Sequence, residues 1–270
     1  MRWDFWVHPL ARDLDIDSPS TTDLRRRIIA ENRFLRKIYQ EWYSMIAAEL
    51  PAGPGALLEI GSGAGFLRDY IPELVTSDVF PVLGLDLVLN SRHLPFAAGC
   101  LRAIAMTNVF HHISSPALFL DEAARCVRPG GTMLMIEPWD SMWSRWVYGN
   151  LHHEPYQRDA EQWNFPSSGP LSGANGALPW IVFERDRARL AIDHPQWRVA
   201  SLKPLMPLAY LISGGVTYRS MMPGKLYSWF RALEWILPLR HFAMFACIKL
   251  ERTASGARYQ SHSSAVTFSS

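Results

Sequence analysis

Two groups of residues in this chain have the types and spacing to do chemistry. In LLEIGSGAGF, Glu59, Gly61, Gly63 and Gly65 stand at alternate positions where an apolar run ends in a glycine turn. Glycine lets backbone turn sharply and come close to a ligand. Between a strand and a helix such a turn brings ligand groups to the helix N-terminus, and in parallel sheets ligands sit beyond the carboxyl ends of the strands. The second group is His152-His153-Glu154. Near pH 7 histidine is the natural general base for a hydroxyl nucleophile. Surface or lid packing accounts for the same pair. Adjacent histidines rarely point at one ion, and no third and fourth ligands follow at recognisable spacing, so no metal is expected.

The elements that must position these residues follow from the hydrophobic pattern. Ala56 to Ile60 reads as a strand, Gly61 to Gly65 as a turn, and Phe66 to about Leu74 as a helix. Val75 to Asp78, Leu85 to Asn90, the run from Leu101 and Thr132 to Pro138 read as further strands, with a helix over Pro116 to Val127. Short apolar strands alternating with helices imply parallel strands and crossovers, an α/β layered fold. Only seven residues separate Asp78 from Asp86, too few for the usual crossover, so the intervening helix is absent or a single turn. Asp13 to Ser20 reads as a linker. Thr22 or Asp23 caps one helix running to about Leu50, and Pro51 to Gly55 ends it. Arg25, Arg26 and Arg27 form either a solvated face or a contact with an anionic substrate or membrane.

Composition narrows the function. The 270 residues are 49% hydrophobic and 19% charged, which fits a soluble protein with a sizeable core. A net charge of +2 does not suggest a nucleic-acid partner. Cys100, Cys126 and Cys247 are far apart and read as reduced thiols of a cytoplasmic protein. Met1 to Leu10 lacks the apolar region of a secretory signal, and no apolar run has membrane-spanning length.

The glycine spacing excludes common alternatives. The third glycine of the dinucleotide fingerprint is replaced by Phe66, the P-loop lysine is missing, and Ile60 stands where a nucleophile elbow needs glycine. What remains resembles the class I S-adenosylmethionine-dependent methyltransferases. Glu59-x-Gly61-x-Gly63-x-Gly65 is similar to their first motif, and Asp78 to their ribose-binding acid, with Asp86 as runner-up. Asn90 to Phe96 resembles the D-A-x-x-L-P-F segment at the adenine, with Asn90 where the family usually has Asp. Thr107 to His112 resembles the segment after strand four, and Arg128 to Gly131 the turn before strand five. The likeness covers about Ala56 to Trp139 and is greatest to the ubiquinone and menaquinone biosynthesis branch.

The resemblance implies a Rossmann-like, mostly parallel seven-stranded sheet with helices on both faces, an antiparallel last strand and a lid insertion after strand five. It implies S-adenosylmethionine as cofactor, held by Glu59, Gly61, Ser62, Gly63, Gly65, Asp78, Asn90, Leu94 and Asn108. The catalytic candidates are His153, His152 and His111. The expected organisation is an N-terminal segment and helix over 1–55, a methyltransferase domain over 56–252 and a disordered tail over 253–270. A substrate-lid insertion lies at about 140–176 and an apolar insertion at about 207–240. The lid's Trp139, Trp143, Trp146, Tyr148, Tyr156, Trp163 and Phe165 suit flat amphipathic acceptors such as sugars or quinones, and suit a second small core equally. Asn175 caps a helix over Leu178 to Ile192. In Lys225 to Phe245, Trp229, Phe230, Leu233, Ile236 and Leu237 share a helical face that suits core packing, a dimer contact or a membrane surface. A non-catalytic binding protein and a nicotinamide-dependent oxidoreductase remain the competing readings.

Overall fold

The computed structural model describes residue 8 and residues 17–151 and 154–254. Seven strands form one sheet in the order β3-β2-β1-β4-β5-β7-β6. They are β1 (Ala56–Ile60), β2 (Leu74–Asp78), β3 (Leu87–Val88), β4 (Leu101–Thr107), β5 (Val127–Pro138), β6 (Trp197–Leu205) and β7 (Phe245–Arg252). The first five pair in parallel, and β7 runs antiparallel between β5 and β6. This is the Rossmann-like sheet the sequence implies. β1, β2 and β4 and the second half of β5 are buried on both faces because helices and loops cover both, which is why they read as continuous apolar runs.

The N-terminal layer differs from expectation. Instead of one helix there are α1 (Pro19–Glu31) and α2 (Arg33–Glu49), broken at Asn32. The Asn32 side chain accepts from Leu35 N–H at 3.0 Å and so caps α2. A continuous apolar period conceals a cap of this kind, because the break costs no apolar position. α2 buries Phe34, Leu35, Ile38, Trp42 and Ile46 against one sheet face.

The expected helix after the glycine turn is also absent; Leu67–Asp69 forms one 3₁₀ turn. Pro72 shortens the segment, and the face is already covered by α2. Tyr43 packs edge-on against Phe66 and Tyr70, and the Arg36 guanidinium lies 4.5 Å from the Phe66 ring centroid. No helix lies between β2 and β3, as the short spacing requires.

On the other face α3 (Pro116–Cys126) runs directly into β5, so Arg128–Gly131 is the irregular start of a strand, with Gly130 at φ 75. After β5 come α4 (Met142–Leu151), an irregular stretch, and α5 (Leu178–Trp180). α5 leads through a π turn into α6 (Arg187–Asp193). The single helix expected over Leu178 to Ile192 is therefore interrupted, at Asp186, whose side chain accepts from Trp163 Nε1 at 2.8 Å.

Between β6 and β7 lie α7 (Ala209–Ser213), α8 (Tyr227–Glu234) and α9 (Leu239–Phe242). α8 ends at Glu234, where the sequence suggests a longer helix. Phe230 faces the core and edge-packs on Phe34, whereas Trp229, Leu233, Trp235 and Ile236 face outward. Thr253 is tied by its N–H to Gln196 O at 2.9 Å. The remainder of the expected tail, 255–270, lies outside the described residues.

Candidate functional site

Four strand ends meet one cavity of about 620 Å³, within the usual range of small-molecule sites. β1 delivers Gly61 and Gly63, β2 delivers Asp78, β4 delivers Thr107 and Asn108, and β5 delivers Pro138. The sheet order places β1 between β2 and β4, so Asp78 and Asn108 are two strand spacings apart, about 10 Å. The carboxyl ends of parallel strands where the order reverses are the expected ligand crevice.

Asp78 is pinned by backbone. Gly63 N–H donates to its Oδ2 at 3.0 Å and Phe80 N–H to its Oδ1 at 3.0 Å. Burial raises its pKa against these bonds. A side chain at Gly63 would meet Asp78 Oδ2 at 2.7 Å and Thr22 Cγ2 at 2.8 Å. This glycine is thus required by the acid and by α1. At Gly65 a Cβ would meet the Tyr43 hydroxyl, so that glycine serves the packing of α2. Gly61 needs its glycine twice, for φ 73 and for the Val109 side chain lying against it.

The structure brings Gly61, Gly63, Asp78, Asn90, Asn108 and His111 to the cavity wall and leaves four other candidates away from it. Glu59 and Ser62 are buried beneath the turn, where Ser77 N–H donates to Ser62 Oγ at 3.1 Å. Leu94 is buried in the core, its N–H bonded to Glu122. Gly65 faces Tyr43. His152 and His153 lie outside the described residues. The runner-up acid Asp86 is exposed and does not line the cavity. Its carboxylate takes bonds from Thr76 N–H at 2.8 Å and from Arg68.

Burial pushes the Glu59 carboxyl up to about 7, with the nearby Asp78 charge adding to the rise. A carboxyl whose folded pKa exceeds its unfolded value holds its proton more tightly when folded. Stability then falls as pH rises from about 4.5 to about 7, and the contribution is constant above that. Urea titrations at pH 5 and pH 8 test this. Glu59→Gln is expected to remove a loss on the order of 3 kcal/mol that the wild type shows between them. Equal losses in both proteins would exclude it.

After β4 the chain enters Asn108, a non-glycine residue with φ 57, and then a 3₁₀ turn over Phe110–His112. Glu137 of β5 organises this turn while fully buried. Its Oε1 accepts from Val109 N–H and Phe110 N–H, both at 2.8 Å, and its Oε2 meets His111 Nδ1 at 2.7 Å. His111 Nε2 lies 3.6 Å from Glu154 Oε2, and His112 Nε2 lies 3.9 Å from Glu154 Oε1. Burial alone lowers the His111 pKa, but bonds to Glu137 and Glu154 and their charges together lift it to about 9. Burial and the neighbouring His111 charge lower His112 to about 3.

A family model described as a methyltransferase domain matches residues 30–172. The chain belongs to the methyltransferase-domain family. No curated protein matches this methyltransferase in sequence. Among solved structures, it is similar to a geranyl diphosphate C-methyltransferase from Streptomyces coelicolor. That likeness has 14% identity and a TM-score of 0.50, over 92% of this chain and 90% of that one. A geranyl diphosphate methyltransferase in complex with SAM is similar at 15% identity and TM-score 0.50, over 90% of this chain and 94% of that one. The residues present at the strand ends fit the S-adenosylmethionine donor that the sequence resemblance implies. Asp78 is a pinned acceptor at the cavity wall, and the Thr107 hydroxyl, on the same cavity from β4, has no hydrogen-bond partner.

Some residues of the methyltransferase site were not singled out as candidates from its sequence. Arg25 lines the cavity, and Arg26 Nη2 donates to Gly63 O at 2.6 Å; the Arg25–Arg27 run was the available signal. Tyr39 and Tyr210 also reach the cavity. Of the seven lid aromatics only Tyr148 and Tyr156 do so, stacked at 4.9 Å. Trp139 and Trp163 are core residues.

Proposed function

We propose that this methyltransferase transfers the donor methyl to an oxygen nucleophile on a small, flat or amphipathic acceptor: a sugar, a quinone-like ring or a lipid-linked relative. The observation that supports this is that Asp78, Asn90 and Asn108 share one cavity with His111, His112, Glu154 and the Tyr148–Tyr156 pair. When bound, S-adenosylmethionine supplies an electrophilic methyl on a sulfonium that departs as a neutral thioether. Asp78 accepts from the two ribose hydroxyls, and the Asn90 side-chain oxygen accepts from the adenine amino group. The tyrosines cover the acceptor ring and exclude water, and the histidine cluster meets its hydroxyl. His152 and His153 keep their place as candidate bases by their position in the lid.

The outward residues of α8 and the turn after it favour a lipid-linked acceptor and peripheral contact of a cytoplasmic protein with a membrane. Trp235 is 90% and Ile236 76% exposed, beside Trp229 and Leu233, with Lys225 and Arg240 flanking them. No helix among the described residues is long and apolar enough to cross a membrane.

Radiolabelled methyl transfer into fractionated cell extract tests the reading. Label is expected in a small molecule of the lipid phase, identified by mass spectrometry. Donor binding in calorimetry with no label in any fraction would make this a binding protein. Binding of NAD without either adenosyl ligand would overturn the donor assignment.

A further inference from the structure

The cluster at His111 has a geometry that an ion pair does not require. Two imidazoles and a carboxylate converge, with their candidate ligand atoms all within 4.8 Å of one another. The two rings come from adjacent residues, yet their centroids are 4.2 Å apart. Glu154 arrives from the lid, far along the chain, which is why no sequence spacing announces the group.

The outer partners of both rings are acceptors. Glu137 takes two backbone N–H bonds on Oε1 and turns Oε2 to His111 Nδ1. His112 Nδ1 lies 3.3 Å from the carbonyl oxygen of Gly173, which can only accept. Each ring then carries a proton on Nδ1 and turns Nε2 toward the Glu154 side, where a bound ion would take the place of any proton on that nitrogen. Carboxylate or carbonyl partners on the outer nitrogen are the usual support for metal-bound histidine.

The separations suit a cation. Ligands about 2.1 Å from a tetrahedral ion lie about 3.4 Å apart, whereas the two Nε2–carboxylate distances are 3.6 and 3.9 Å. These two run to different oxygens of Glu154, and the candidate ligand atoms all lie within 4.8 Å, so side-chain movement of about an ångström closes them on an ion. Glu137 is fully buried and pairs with no Lys or Arg among the described residues, so the cluster lacks a fixed cation there. All three ligand residues line the cavity that holds Asp78 and Asn108.

We propose that His111 Nε2, His112 Nε2 and a Glu154 carboxylate oxygen bind a divalent transition-metal ion whose open positions face the acceptor. Two imidazoles among three ligands select zinc, iron, cobalt or nickel over magnesium, calcium and manganese, which prefer oxygen. Three protein ligands leave room for one or two oxygens of the substrate. The fitting acceptor class is therefore a hydroxyl with a second oxygen beside it, such as a vicinal diol, a catechol or a hydroxyquinone. An acceptor oxygen on the ion loses its proton to water more readily. That oxygen's electron pair then forms the new bond to the methyl carbon, while the methyl–sulfur bond breaks and sulfur keeps its pair. The substrate part of the proposal rests on the methyl-transfer reading; the ion site does not.

The test is a cobalt titration of the untagged full-length chain, stripped of metal by a chelator. One equivalent of Co²⁺ is expected to give a visible ligand-field absorption band, displaced by Zn²⁺. Glu154→Gln and His112→Ala are each expected to weaken binding at least 100-fold, with circular dichroism and S-adenosylhomocysteine affinity unchanged. Absence of Co²⁺ and Zn²⁺ binding below millimolar concentration overturns the site. So does undiminished binding in both variants. Either result with intact S-adenosylhomocysteine binding removes the ion and leaves the donor site standing. Loss of S-adenosylhomocysteine binding in the wild type instead removes the methyl-transfer reading.

Discussion

Asp78→Ala is expected to lower affinity for S-adenosylhomocysteine by about 100-fold, close to 2.7 kcal/mol. A carboxylate taking two ribose hydroxyls forms charge-assisted bonds of about 1.5–3 kcal/mol each. Part of that is offset by desolvating an acid that burial already disfavours in its charged form. The loss has a second component. Gly63 N–H and Phe80 N–H lose their acceptor together, so the glycine turn is no longer held against β2. Asp86→Asn is the control, because Asp86 faces Arg68 and Thr76 away from the cavity. Calorimetry on both variants decides between them. Normal affinity in Asp78→Ala with loss in Asp86→Asn would transfer the ribose role to Asp86.

Glu137→Ala is expected to destabilise the fold by about 3–5 kcal/mol in urea denaturation. Removing one partner of a buried charged network costs this much because the other partners remain. Here three donors are orphaned at once: the part-buried Val109 N–H and the buried Phe110 N–H and His111 Nδ1. The chain leaves β4 through Asn108 at φ 57, a conformation held by its surroundings. Glutamine at 137 keeps an acceptor for the two backbone donors and is expected to recover most of the stability. Its amide N–H would face His111 Nδ1 and reverse that ring's tautomer. A loss under 1 kcal/mol in Glu137→Ala would show that the turn after β4 is held by packing alone.

Much of the fold was legible, because β1, β2, β4 and most of β5 are buried on both sides and short apolar runs between turn residues are hard to read otherwise. The glycine turn was legible because Gly61 takes φ 73 and Gly63 leaves no room for a side chain beside Asp78, and Asp78 because an acid ending a short apolar strand stands out. What escaped depended on contacts remote in sequence. Asn32 breaks the N-terminal helix by a local side-chain bond within an unbroken apolar period. The helix expected after Gly65 yields to a 3₁₀ turn because Tyr43 and Arg36 of α2 occupy the surface around Phe66. Gly65 carries the look of a ligand glycine while making room for a tyrosine hydroxyl. Glu154 meets His111 and His112 only once the lid has folded over the strand ends.

The placement of α1 has a thermodynamic corollary. Thr22 and Arg25 form part of the cavity wall, and Arg26 clasps the carbonyl of Gly63 inside the glycine turn. The helix is thus seated on the glycine turn that the proposed function assigns to the donor. Two events sharing one surface are linked, and the linkage is reciprocal. Whatever free energy the donor gives to ordering α1 is the free energy by which a preordered α1 tightens the donor. Affinity in this enzyme is therefore set partly outside the sheet, by how firmly an N-terminal helix sits down.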